Sequence, residues 1–259
     1  YTHSRDINLL DWHGVDVLLE CTGQFRDGHQ SSIHLENGAK TVLISSPGKN
    51  VDRTVVYGVN HNDITVKDSI ISSASCTTNC LAPIVKVLND SLGIIRGSMT
   101  TIHSYTGDQA TIDRRHDDLY RARAAAMSMI PTTTGAAKAL KLVLPEMEGK
   151  IIGSAIRVPT PNVSCIDLHF YSEADVDVDT VNDIVKTASE NEMKGIIGFE
   201  TRPLVSMDFN TTNESCIFAA DSTLVCGKLV RVLCWYDNEW AFSNRMADTA
   251  SYIGVLNEY

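Results

Sequence analysis

Short apolar, β-branched runs recur between Val15 and Ser75, each closed by a loop: "VDVLLECTG", "TVLISSP", "TVVYGVN" and "SIISSAS". Runs of this length and composition predict strands. Between the first two, "HQSSIHLENGAK" predicts a helix that closes at Asn37-Gly38. Strands this apolar, with a helix between them, predict a parallel sheet covered on both faces. The first 75 residues therefore read as part of an α/β domain.

From Thr77 onward Leu81, Ile84, Val85, Leu88 and Leu92 fall on helical spacing, with Ser75 or Thr77 available as a cap, so Cys76 stands at a helix N-terminus. A strand, "GSMTTIHSYT", follows. The charged stretch after it contains "YRARAAAMSM", which has helical propensity. "TTGAAKALKLVL" predicts a helix opened by Thr134 and Gly135. Strand candidates "GSAIRVP", "VSCIDLHFY", "LVSMDFN" and "LVRVLCWYD", with a helix at roughly Thr180 to Glu190, predict a mixed or antiparallel sheet. The closing "EWAFSNRMADTASYIG" predicts an amphipathic helix, apolar at Phe242, Met246, Ala250 and Ile253. The expected class is α/β plus α+β.

Composition narrows the function classes. The 259 residues are 43% hydrophobic and 21% charged, which fits a soluble globular chain of about two domains. No run of about 18 apolar residues and no signal-peptide pattern occurs, which argues for the cytosol and against membrane or secretion. Seven scattered cysteines, an odd count, do not form a secreted disulfide framework. A net charge of −10 without a long basic run argues against nucleic acid as the main partner. The first residue is Tyr1 rather than Met, as expected of a fragment or processed product.

"SASCTTNCLAP" sets Cys76 and Cys80 four residues apart, and four chemistries compete for the pair. Structural zinc usually needs four ligands, and no second close cysteine pair exists. A disulfide between i and i+4 of one helix is geometrically awkward and unexpected in the cytosol. Two buried structural thiols is the commoner reading for cysteines in general. Position favours the fourth, one reactive thiol: Cys76 faces the positive helix end, where the dipole and a neighbouring His lower a thiol pKa, while Cys80 lies a turn deeper. His103, ending a β-like run in "TTIHSYTGDQ", is the best-placed partner of eight histidines.

Taken together, "SASCTTNCLAP", "TTIHSYTGDQ", "RARAAAMSMIPTTTGAAKAL", "RVPTPNVS" and "WYDNEW" resemble, in order, the phosphorylating glyceraldehyde-3-phosphate dehydrogenases of bacterial type, and the resemblance spans essentially the whole chain. It implies a partial Rossmann-type NAD-binding domain at residues 1–75 and 237–259, with its N-terminal part missing, and a catalytic domain at 76–236. It also implies a cytoplasmic homotetramer acting in glycolysis on glyceraldehyde 3-phosphate and inorganic phosphate through a cysteine thioester. By the same resemblance Cys76 is the nucleophile and His103 its base. Thr106 and Arg157 belong to the substrate-phosphate site, and Ser75, Thr77, Arg121, Thr134 and Gly135 to the inorganic-phosphate site. Thr22, Gly23, Ser45 and Asn238 lie at the cofactor, and no metal is implied. As imidazolium, His103 would also donate to the developing oxyanion.

Departures from the family pattern define the alternatives. No Gly-x-Gly-x-x-Gly loop occurs, so the chain as given is expected to bind NAD poorly. Arg114 and Arg115 stand where Leu-Pro is frequent; two cations there favour the extra phosphate of NADP, form interface salt bridges with Asp117 and Asp118, or are simply solvated, and the last two are the commoner fate of charged loop residues. Ala241 and Phe242 replace a common Gly and Tyr. Rival readings are erythrose-4-phosphate dehydrogenase, a redox-sensing thiol protein on the same fold, and an inert fragment.

Overall fold

The computed structural model describes residue 4 and residues 6–256, and divides into two compact units: residues 1–75 with 243–259, and residues 76–242. The terminal residues of the predicted domain ranges 1–75 and 237–259 lie outside the described residues.

The first unit is built on a four-stranded parallel sheet. Its elements are β1 (Val17–Glu20), α1 (Gly28–Glu36), β2 (Thr41–Ile44), β3 (Arg53–Thr54) and β4 (Ile70–Ser72), with strand order β1-β2-β4-β3. Asp27 caps α1 by accepting from His29 N, and Gly38, at φ +107°, ends it in the left-handed region. Leu18, Val42, Ile44 and Ile70 form the core beneath, with Trp12 and Leu35 against them. The predicted strand "TVVYGVN" belongs to a strand only at its first residue, Thr54; buried Val55 still donates its N–H to Ser72 O of β4 at 2.8 Å, and the chain turns away at Val56, whose N–H donates to Asn60 Oδ1. The closing helix α5 (Trp240–Leu256) contributes its residues from Ser243 onward to this unit. There Arg245 lies over the Tyr57 ring and Tyr252 meets His61 edge-on.

The second unit is a mixed eight-stranded sheet with helices on one face. It comprises α2 (Cys76–Leu92), β5 (Ile94–Ser104), β6 (Ile130–Thr132), α3 (Ala136–Val143), β7 (Ile151–Val158), β8 (Ser164–Ser172), α4 (Val178–Glu190), β9 (Ile197–Glu200), β10 (Cys216–Ala219), β11 (Leu224–Cys226) and β12 (Leu229–Tyr236). The order is β6-β7-β5-β8-β12-β10-β9, with β11 on β12. Helix α2 packs on β5, β8, β12 and β10 and also on α3 and α4, so all three helices share that face. Its buried stripe of Leu81, Ile84, Val85 and Leu88 follows the helical spacing of the sequence. Gly153 lets α3 approach β7, since a Cβ there would come within 2.9 Å of Ala137 Cβ.

Two predicted elements are absent and four short strands were not foreseen. "YRARAAAMSM" is irregular, because its polar groups bond to distant chain: Asp113 accepts from Ala124 N and pairs with Arg123, and Ala125 N donates to Ala110 O. "LVSMDFN" is a short 3-10 turn (Ser206–Phe209) opened by Asp208, whose carboxylate accepts from Val205 N. Strands β6, β9, β10 and β11 have three or four residues each, too short for a period to register.

Candidate active site

Strand register and helix start bring one cluster together. His103 on β5 and Arg157 on β7 are direct partners in a parallel pair, and Thr101 and Ala155 stand two residues earlier on the same face, the one beneath α2. Helix α2 begins at Cys76, two residues after Ala74, a non-glycine residue held at φ 57° with its N–H on Ser72 Oγ. Cys76 Sγ lies 3.5 Å from His103 Nε2.

The ring's other nitrogen faces two opposite demands. His103 Nδ1 is 2.7 Å from Ser104 O, which accepts, and 2.7 Å from Arg157 Nη1, which donates. With the proton on Nδ1, the ring bonds to Ser104 O and offers the Nε2 lone pair to the thiol. With Arg157 donating to Nδ1, the proton sits on Nε2 and points at sulfur. Arg157 Nη1 also donates to Ser104 O at 2.8 Å, so the guanidinium competes for the carbonyl that the first arrangement needs.

Electrostatics here correct the expectation from sequence. Burial, followed by the Arg157 charge, pushes His103 down to about 4, so the imidazole is neutral near pH 7, the form that can act as a base. Burial likewise raises the Cys76 thiol, against the pull of Arg157 and of hydrogen bonds from the Thr77 hydroxyl and backbone. The helix terminus was legible in the sequence; the desolvation that outweighs it was not. Cys80 is sealed beneath, its thiol pushed up to about 11 by burial and bonded to that of Cys216.

The remaining predicted residues are distributed around this cluster. Thr77 is buried, its Oγ1 2.9 Å from the Tyr236 hydroxyl, which also meets Thr101 Oγ1 at 2.9 Å. Ser75 is half-buried at the entrance to α2. Thr106 lies in the turn after β5, where its carbonyl accepts from Gln109 N. Arg121 donates from Nε to Thr132 Oγ1 and from Nη1 to Asp108, within electrostatic reach of Arg157. Thr134 accepts from Ala136 N, and exposed Gly135 is the N-cap of α3. Asn238 follows β12 and accepts from two serines, Ser104 and Ser164. In the first unit, Thr22 and Gly23 follow β1 and Ser45 follows β2, at the carboxyl ends of parallel strands where ligands are expected. There Glu20, paired with His34, accepts from Thr22 N, and Gly23 is left-handed at φ +71°. Tyr236, Asp108, Ser104 and Ser164 were missed as participants, although all four lie inside the quoted motifs. Among the described residues neither Arg114 nor Arg115 forms an ion pair, and no group of three or more His, Cys, Asp or Glu is arranged to hold a metal.

Residues 75–238 match the glyceraldehyde 3-phosphate dehydrogenase C-terminal domain family. The chain belongs to the glyceraldehyde-3-phosphate dehydrogenase family. It is 58% identical over 256 residues to the glyceraldehyde-3-phosphate dehydrogenase of Cereibacter sphaeroides, covering 98% of this chain and 77% of that protein. Identity to the enzyme of Geobacillus stearothermophilus is 54%, over 96% of this chain and 76% of the relative. For that of Zymomonas mobilis it is 53%, over 92% and 72%. The motifs that carried the resemblance, from Ser73 to Trp240, nearly coincide with the matched domain. No helix of the described residues is long and apolar enough to cross a membrane.

Proposed function

We propose that this chain carries out the phosphorylating oxidation of glyceraldehyde 3-phosphate in glycolysis, through a thioester on Cys76. The observation that carries the reading is the 3.5 Å approach of His103 Nε2 to Cys76 Sγ, at the start of a helix, in a family member. Cys76 sulfur attacks the aldehyde carbon while its proton passes to Nε2 and from there to the former carbonyl oxygen, giving a hemithioacetal and returning His103 to its neutral form. Neutral His103, with Nδ1–H on Ser104 O, then takes the hemithioacetal hydroxyl proton at Nε2 as the carbon is oxidised. An oxygen of inorganic phosphate attacks the thioester, and collapse expels the Cys76 thiolate with the acyl phosphate as product.

Arg157 links anion binding to this cycle. A phosphate drawing its guanidinium off the ring leaves Ser104 O to Nδ1–H and selects the tautomer that makes Nε2 a base. Arg121, Thr106, Thr134 and the free N–H groups opening α3 supply further donors for the two anions, with Ser75 and Thr77 beside the nucleophile. Thr22, Gly23, Ser45 and Asn238 would hold NAD, and the fit is supported by the left-handed Gly23 turn and by the Asn238 amide nitrogen, which has no acceptor among the described residues. When bound, NAD supplies the hydride acceptor for the oxidation. NAD is the cofactor of the family reading, with NADP as the alternative left open by Arg114 and Arg115, exposed and without an ion pair among the described residues.

A cytoplasmic homotetramer belongs to the same proposal. The sheet face turned away from the helices exposes Ile152, Ile156 and Tyr171 around the Arg231–Asp167 ion pair, a surface suited to self-association. The deciding assay measures NADH formation by the full-length protein from glyceraldehyde 3-phosphate and from erythrose 4-phosphate. Turnover that requires phosphate and prefers the triose supports the reading; phosphate-independent turnover of the tetrose contradicts it.

A further inference from the structure

The geometry points to Ser104 and Ser164 as positioning residues that lock the Asn238 carboxamide so that its nitrogen, not its oxygen, faces the nicotinamide. This assignment rests on the function proposed above. It concerns two hydroxyls that the reaction itself does not use.

Three strand ends meet at this point. Ser104 closes β5, Ser164 opens β8 and Asn238 lies two residues beyond β12. Ser104 Oγ donates to Asn238 Oδ1 at 2.8 Å and Ser164 Oγ donates to the same oxygen at 2.9 Å. Ser164 Oγ is fixed in turn by Ser104 N, which donates to it at 3.0 Å. All three side chains are buried, Ser104 and Ser164 almost completely. An amide oxygen has two lone pairs, and both are taken. Nδ2, a donor only, has no acceptor among the described residues and remains for a ligand.

The backbone is held as firmly as the side chain. Asp237, also buried, accepts from Glu239 N and Trp240 N through Oδ1, and from Thr211 N and Asn162 Nδ2 through Oδ2. Val163, just before Ser164, sits at φ 66°, a conformation a β-branched residue rarely adopts. An amide turned over would bring Nδ2 against hydroxyls that must then reorient, and would present oxygen to the ligand. A carboxamide ligand recognised by Nδ2 must offer its carbonyl oxygen, which fixes which way the carboxamide, and with it the ring, lies.

The test compares the full-length parent with Ser104→Ala/Ser164→Ala and with Ser164→Ala alone, which keeps one donor and the fold. Dissociation constants for NAD and for ADP-ribose, which lacks the nicotinamide, are measured by fluorescence titration, and the face of hydride transfer is read with cofactor deuterated at C4. The double variant should bind NAD roughly tenfold more weakly, the single variant about threefold, with ADP-ribose affinity unchanged and the transferred deuterium divided between faces. Equal weakening of both ligands marks the serines as structural only and overturns the assignment, as do parent affinity and parent stereochemistry in the double variant. A parent that neither binds nor reduces NAD instead overturns the functional reading on which the assignment depends.

Discussion

Replacing Arg157 by Met tests how the sheet sets the protonation of the catalytic pair. Arg157 Nη1 stands 2.7 Å from His103 Nδ1, and its charge is the second cause, after burial, holding the ring down to about 4. Two unit charges roughly 4 Å apart interact by about 4 kcal/mol at an effective dielectric of about 20. Half-exposed Arg157 is screened, which reduces the effect to about one to two pH units. Removing a cation favours the imidazolium, so His103 should titrate near 5 to 6, still below its ordinary 6.5 because burial remains. The thiol limb moves upward too, since Arg157 is the leading group that favours the Cys76 thiolate. Imidazole NMR titration reads the first change, and the pH dependence of Cys76 alkylation reads the second. An unmoved or lowered His103 titration in Arg157→Met would refute the reasoning, because no other described cation touches that ring.

Three further outcomes follow from the same geometry. Cys76→Ser should nearly abolish dehydrogenase activity while Cys80→Ser leaves most of it; equal losses in the two variants would show the two thiols to be equivalent. Because His103 titrates at about 4 folded against 6.5 unfolded, the unfolded chain binds more protons between those values, so stability is full above pH 6.5 and falls by roughly 3 kcal/mol as pH drops toward 4. Urea titrations of His103→Asn should show a correspondingly flatter acid slope; a slope equal to the parent's counts against a neutral buried ring. Tyr236→Phe removes a hydroxyl shared by Thr77 and Thr101 and should destabilise by about 1–3 kcal/mol in urea, whereas an unchanged midpoint would mean that this bond network contributes nothing.

Much of this architecture was legible where a period ran long enough. The stripe from Leu81 to Leu88 specified α2, and apolar runs specified β1, β2, β8 and β12. Legibility failed where a hydrogen-bonding side chain, distant or local, overrides what composition suggests. "YRARAAAMSM" has the composition of a helix, yet Asp113 and Ala110 capture its backbone donors. "LVSMDFN" has the composition of a strand, yet Asp208 turns it. At the site, Cys76 and His103 were marked by helix start and strand end. Their protonation was not, because it depends on burial and on Arg157, which lies 54 residues from His103 in sequence. Ser104, Ser164 and Asp237 escaped for a related reason: a serine beside a histidine carries no sign that its hydroxyl is spent on an amide far along the chain.

The most direct measurement of the central claim is the mass of the Cys76 peptide after the full-length protein meets glyceraldehyde 3-phosphate and NAD without inorganic phosphate. A 3-phosphoglyceroyl thioester on Cys76, absent from Cys80 and discharged as acyl phosphate when phosphate is added, is the predicted result. An unmodified Cys76 during turnover, or an adduct on another cysteine, would contradict the account.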